Sequence, residues 1–265
     1  MAVAEIGEAH IHFTEAGSGE NTMVFSHGLL MSGEMFANQI AHFKDRYRCI
    51  TFDHRGQGKS SVTKSGYDID TLTEDAIRLI ERLDAAPCHF VGLSMGGMVG
   101  MRIALRRPDL LNSLILIDTS AEPEPPENLP RYRLLNLVAR WLGVGFVVGR
   151  VMPILFGRTF MNDPSRVDER AYWRKELASR DRTGITRAVK GVINRQGILD
   201  QISGITARTL IIVGEEDTAT VPERSKRMHA AISTSKLAKI PNAGHSSPIE
   251  SPEAVNAAME NFLAT

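Results

Sequence analysis

Phe90-Val91-Gly92-Leu93-Ser94-Met95-Gly96-Gly97-Met98 is the stretch from which the fold of this chain can be read. Phe90 to Leu93 reads as the end of a buried strand, and Met95 to Arg107 as the helix that follows. Gly96, Gly97, Gly100 and Ala104 keep that helix narrow enough to lie close on a sheet, and Pro108 stops it. Between the two sits Gly92-Leu93-Ser94-Met95-Gly96, a serine at a sharp strand-to-helix turn. Glycine two residues to either side leaves space for such a turn, where a Cβ would collide. The strained turn projects the serine hydroxyl away from the sheet.

Outward from this turn the chain alternates strand and helix. Residues 2–6, 9–15, 22–26, 47–52, 88–93, 113–117, 207–213 and 236–240 read as strands. Amphipathic helices are expected near 35–44, 70–83, 222–232 and 252–263. Strands alternating with helices predict an α/β fold, a mostly parallel eight-stranded sheet covered by helices on both faces. The alternation breaks once, after the sixth strand. Glu122-Pro123-Glu124-Pro125-Pro126 is a stiff exit, and residues from about 128 to 196 are helical in pattern with no strand. The expectation is a core of residues 1–121 and 197–265 carrying a helical cap, 122–196.

Composition excludes several function classes. The 265 residues balance 31 basic against 31 acidic side chains, so no global charge favours nucleic acid or an anionic membrane. No apolar run reaches the roughly 18 residues of a membrane span. The start, Met1-Ala2-Val3-Ala4-Glu5, lacks the basic and apolar regions of a signal peptide, which makes a soluble cytoplasmic protein the expectation. Cys49 and Cys88 fall on strands with another strand expected between them. They would then stand about 9.5 Å apart, beyond the roughly 7 Å that a disulfide spans, and are expected as free buried thiols. His10 and His12 share a strand face without a third ligand and read as an exposed face rather than a metal site. Gly58-Lys59-Ser60 is not a phosphate loop, because Asp53 stands where that motif needs its first glycine.

A nucleophilic serine needs a base, and the base needs an acid to orient it. Both follow the cap, each just past a strand at the carboxyl edge of the sheet. Gly214-Glu215-Glu216-Asp217 brings Asp217, and Gly244-His245 brings His245. Glu215, Glu216 and Asp118 are rival carboxylates, Asp118 because it ends the strand after the serine turn.

These motifs, with His27-Gly28 and Asp53-x-Arg55-Gly56-x-Gly58-x-Ser60, make the chain resemble the serine α/β-hydrolases. The pattern is close to small carboxylesterases and 3-oxoadipate enol-lactonases. The resemblance implies catalytic Ser94, Asp217 and His245, with the backbone N–H groups of Leu29 and Met95 as the oxyanion hole. His27 and Gly28 would shape the loop carrying Leu29. It also implies no metal and no organic cofactor, and a small ester or lactone as substrate. Leu30, with Trp141 and Phe146 from the apolar cap, is expected to line the substrate pocket. Serine at position 94 separates the chain from haloalkane dehalogenases and epoxide hydrolases, which use aspartate there. Lactone hydrolysis is the main alternative to ester hydrolysis, ahead of carbon–carbon bond cleavage, perhydrolysis and slow-turnover ligand reception. A monomer or homodimer without nucleic-acid or membrane partners is expected.

Overall fold

The computed structural model describes residues 2–264. Eight strands form one sheet: β1 (Ala2–Ile6), β2 (Ala9–Ala16), β3 (Asn21–Ser26), β4 (Tyr47–Phe52), β5 (Cys88–Leu93), β6 (Leu111–Ile117), β7 (Thr209–Gly214) and β8 (Ser235–Ile240). Their spatial order is β1-β2-β4-β3-β5-β6-β7-β8. The β1–β2 and β2–β4 pairs are antiparallel, and every later pair is parallel.

Each central strand is buried on both sides, so its residues divide alternately between two cores. Val24, Phe90, Leu114, Leu116 and Ile211 face one. Phe25, Val91, Leu93, Ile115, Ile117 and Ile212 face the other. Helices α2 (Ile69–Arg82), α3 (Met95–Arg106) and α9 (Pro222–Ala231) contribute to the first core. Helices α1 (Ala37–Phe43), α10 (Ser247–Glu250) and α11 (Pro252–Leu263) contribute to the second.

Between β6 and β7 run five further helices, α4 (Leu129–Leu142), α5 (Val148–Leu155), α6 (Arg158–Asn162), α7 (Val167–Ala178) and α8 (Arg182–Ile193). Their inward residues, among them Ala139, Val148, Met152, Phe160, Trp173 and Ile185, join the second core. No helix among the described residues is long and apolar enough to cross a membrane.

The two cysteines are free and buried, with β3 between their strands. Cys49 packs in the second core and Cys88 in the first, so they also lie on opposite faces of the sheet. Burial pushes the Cys49 thiol up to about 11 and the Cys88 thiol to about 12, leaving almost no thiolate at neutral pH. Titration with a chromogenic disulfide should find neither thiol in native protein and both after unfolding. A disulfide on non-reducing peptide mapping would contradict this placement.

Candidate active site

Ser94 sits between β5 and α3 with φ 52° and ψ −112°, outside the regions that L residues ordinarily favour. The turn is held from both sides. Ser94 N–H donates to Ile117 O at 2.9 Å, while its own carbonyl accepts from Met98 N–H at 3.0 Å and Thr119 Oγ1 at 2.6 Å. The flanking glycines are required. A Cβ on Gly92 would stand 2.4 Å from Gly96 O, and one on Gly96 would stand 2.0 Å from Ser26 O.

His245 enters from the loop between β8 and α10, and Asp217 from the loop between β7 and α9. Ser94 Oγ lies 2.9 Å from His245 Nε2, and His245 Nδ1 lies 2.9 Å from Asp217 Oδ2. Asp217 is itself held: Oδ1 accepts from Ala219 N–H at 2.8 Å and Thr220 N–H at 2.9 Å, and Oδ2 accepts from Thr220 Oγ1 at 2.7 Å. Burial works against both charged forms here. The His245 charge and hydrogen bond, together with Thr220, still hold Asp217 below the usual carboxylate range. Burial would also lower the His245 pKa, but the Asp217 charge and hydrogen bond outweigh it and raise the imidazole above its ordinary value. The rival Asp118 makes no hydrogen bond to the imidazole among the described residues. Its Oδ1 accepts from Gly214 N–H at 2.8 Å and its Oδ2 from Ser247 N–H and Oγ at 3.2 and 2.6 Å. Burial, then the charge of Asp217, pushes Asp118 well above the carboxylate range. Two neighbouring buried carboxylates thus have their pKa values driven apart, and the low one faces the histidine.

Sequence reasoning gave no role to Glu250. Its carboxylate accepts from Gly244 N–H at 2.9 Å and Ser246 N–H at 3.0 Å, the peptides on either side of His245. It also accepts Gly157 N–H from the inserted helices at 2.8 Å. Glu216, one residue before Asp217, takes Thr159 N–H and Oγ1 at 2.7 Å each. The turn at the start of α6 is therefore tied to both the Asp217 loop and the His245 loop. A carboxylate five residues past a histidine carries no signal of this role in a single sequence.

Leu29 and Met95 each present a backbone N–H without a partner among the described residues. Met95 is the first residue of α3, where the helix leaves its N–H groups free and its dipole favours negative charge. The loop carrying Leu29 is built by buried groups around it. His27 Nδ1 lies 2.7 Å from Gly28 O, and His27 Nε2 accepts His54 N–H at 2.9 Å. That pairing needs a neutral imidazole, and burial lowers the His27 pKa accordingly. Leu30, at φ 71°, is clamped: its N–H donates to Gln57 Oε1 at 2.8 Å, and its carbonyl accepts from Arg180 Nε at 3.2 Å. The Asp53–Ser60 motif supports this loop. Asp53 Oδ1 accepts Gly33 N–H at 2.8 Å, and its Oδ2 accepts Lys59 N–H at 2.8 Å. Arg55 forms a buried fork with Asp75, with both hydrogen bonds at 2.6 Å. The same loop overturns the expectation for His12. His12 is buried, because the turn folds over β2 and sets Asp53 Oδ2 3.1 Å from His12 Nδ1. His10 on the same strand stays exposed.

Ser94 and His245 open on a cavity of about 140 Å³. Leu29, Leu30 and Leu93 at the carboxyl edge of the sheet line it, as do Leu135, Ala139, Val144, Val147, Leu155 and Ile185 among other residues of the inserted segment. Leu30 is placed as expected. Trp141 and Phe146 are not: they are 70% and 67% exposed and point away from the cavity. The reason is helix phase. Tyr132, Leu135, Asn136 and Ala139 share the inward face of α4, and Trp141 falls about 200° further round the helix from Ala139. Phe146 lies between Val144 and Val147, which turn inward in its place. Among the described residues no group of three His, Cys, Asp or Glu side chains is arranged to hold a metal.

A serine on a strained strand-to-helix turn, with histidine and aspartate from later strand ends in the order Ser, Asp, His, defines an α/β-hydrolase-type site. A profile of the family described as alpha/beta hydrolase fold matches residues 21–252, and the chain belongs to that family. A Pseudomonas syringae pv. syringae (strain B728a) protein named as a carbamate hydrolase is 28% identical over 251 residues, spanning 92% of this chain and 94% of the relative. The structure of a thermophilic esterase from Thermogutta terrifontis superposes with TM-score 0.89 at 31% identity, covering 98% of this chain and 95% of that one. The enol-lactonase from Burkholderia xenovorans LB400 superposes with TM-score 0.92 at 26% identity over 100% of both chains.

Proposed function

We propose that this hydrolase cleaves carboxylic esters through an acyl-enzyme formed on Ser94, with residues 122–196 acting as a cap over the site. The observation that carries the proposal is the Ser94–His245–Asp217 chain of hydrogen bonds, 2.9 Å at each of its two links, beside the open N–H groups of Leu29 and Met95. His245 takes the Ser94 proton as Oγ attacks the acyl carbon, and Asp217 stabilises the imidazolium that forms. The carbonyl oxygen, now negative, receives the Leu29 and Met95 N–H groups, each worth roughly 3–4 kcal/mol in the transition state. His245 then gives its proton to the leaving alkoxide. In the second half it takes a proton from the water that attacks the acyl carbon and returns it to Ser94 Oγ as the bond from that carbon to Oγ breaks, releasing the acid. No step calls for a metal or organic cofactor.

Ester is favoured over a carboxylated lactone by the charges in the cavity wall. Arg195 is the lining arginine, and its guanidinium is already met by Glu124 at 3.0 Å, both side chains being buried. A substrate carboxylate would find no unpaired cation among these lining residues. A void near 150 Å³ holds a group about the size of benzene, which favours short acyl or alcohol groups of up to about six carbons. Rates on a p-nitrophenyl ester series run beside neutral and carboxylated lactones test this. Turnover should be fastest on short and medium esters. Faster turnover of a carboxylated lactone would assign the chain to lactone hydrolysis, and a single turnover per protein would favour a slow ligand receptor.

A further inference from the structure

The inserted helix α4 is apolar on two opposite faces. Its inward face lines the cavity. Its outward face carries Leu134, Leu137 and Trp141, spaced i, i+3, i+7 and all more than half exposed. Leu142 and Phe146, at and just beyond the helix end, are exposed to the same degree. A surface helix ordinarily turns charge outward, so a second apolar stripe is unfavourable unless something covers it.

The charged residues that border the stripe are all positive. On the helical wheel Arg133 and Arg140 flank it on one side and Arg131 on the other. All three are exposed, and none has a carboxylate partner among the described residues. From Asn128 to Asn162 the chain holds five arginines and no acidic residue. The helix packed beside α4, α8, adds Arg182, Arg187 and Lys190, again without an acid. The zero net charge of the whole chain averages this away, which is why composition gave no reason to expect a membrane partner.

We propose that the outer face of α4 docks on an anionic lipid surface, with Leu134, Leu137 and Trp141 entering the interface and Arg131, Arg133 and Arg140 meeting acidic headgroups. Leucine and tryptophan bordered by arginine is the composition of a helix that lies in a lipid interface. A second copy of the chain suits the face poorly, because a two-fold contact would set these unpaired arginines against their own copies. Since α4 is also one wall of the cavity, a docked surface would lie about one helix diameter, roughly 10 Å, from it. The proposal rests on this face and does not depend on which ester is cleaved.

The test is sedimentation of the purified protein with vesicles of phosphatidylcholine alone and of phosphatidylcholine mixed with phosphatidylserine. The protein should pellet with the phosphatidylserine vesicles, less so as salt is raised, and should stay in solution with phosphatidylcholine alone. Of its two tryptophans Trp173 is buried and Trp141 exposed, so a blue shift of emission on binding reports the proposed face. Arg133→Ala with Arg140→Ala should weaken binding roughly 30-fold, at about fivefold per arginine. Trp141→Glu should weaken it as well while leaving hydrolysis of a short soluble ester unchanged, which shows that the variant is folded. Failure to pellet with either vesicle, or equal pelleting with both, would overturn the proposal. So would a lipid-free dimer that Trp141→Glu splits.

Discussion

Ser94→Ala is expected to lower kcat on the best ester substrate by roughly 10⁵- to 10⁶-fold, the loss that follows when the nucleophile of a cooperating triad is removed. Alanine has no atom to form the acyl-enzyme, and His245 Nε2 is left facing a methyl group in place of the hydroxyl at 2.9 Å. What survives is binding and the two N–H donors of Leu29 and Met95, which act on a water held in the vacated space. KM should change far less than kcat, since the cavity wall is supplied mainly by Leu, Val, Ile and Ala side chains that the substitution leaves alone. The substitution is also mild for the fold. Ser94 holds its turn through backbone groups, its N–H to Ile117 O and its carbonyl from Thr119 Oγ1, and alanine keeps both. A kcat within tenfold of the parent would remove Ser94 from the reaction.

Asp217→Asn should cost about 10⁴-fold in kcat, through the tautomer of His245. The direction follows from the partners of Asp217. Oδ1 accepts two backbone N–H groups, from Ala219 and Thr220, so the oxygen of an asparagine is held at that position. Its NH₂ must then occupy the place of Oδ2, 2.9 Å from His245 Nδ1. A donor there makes Nδ1 the acceptor and moves the imidazole proton to Nε2, where it can no longer take the proton of Ser94. Asp118→Asn leaves the Asp217–His245 pair intact and should retain most activity; the reverse outcome would move the orienting role to Asp118. The pH profile gives an independent readout. Protonated His245 cannot act as base, so kcat/KM falls as pH drops through its pKa. With that pKa raised, the acid limb of the parent enzyme should lie above the ordinary 6.5. Asp217→Asn removes the charge that raises it, so the residual activity should persist to lower pH. Identical acid limbs in the two proteins would break the link between Asp217 and His245.

The sheet was legible in the sequence because its strands are apolar runs of Val, Ile, Leu and Phe separated by amphipathic helices, a pattern set by burial on both faces. Ser94, Asp217 and His245 were legible for another reason: each stands just past a strand, Ser94 between Gly92 and Gly96, Asp217 three residues after Gly214 and His245 directly after Gly244. The groups that hold them were not. Glu250 braces the peptides beside His245 and reaches Gly157 93 positions away, while Gln57 and Arg180 clamp Leu30 from distant segments, and nothing local to these side chains marks such partners. The inserted helices were legible as helices but not in their facing. With leucine and valine all round α4, periodicity does not say which apolar stripe meets the core, and the large side chains of Trp141 and Phe146 point outward. His12 failed through the same limit, as the turn that buries it comes from residues 53–60, some 40 positions away.

The central claim is that Ser94 Oγ is the nucleophile activated by His245. Its most direct test is labelling with a fluorophosphonate, followed by intact mass and peptide mapping of native protein. The expected result is one adduct per chain on the peptide containing Ser94, suppressed as pH falls through the His245 pKa and absent in Ser94→Ala. An adduct on another residue, or undiminished labelling of Ser94→Ala, would contradict it.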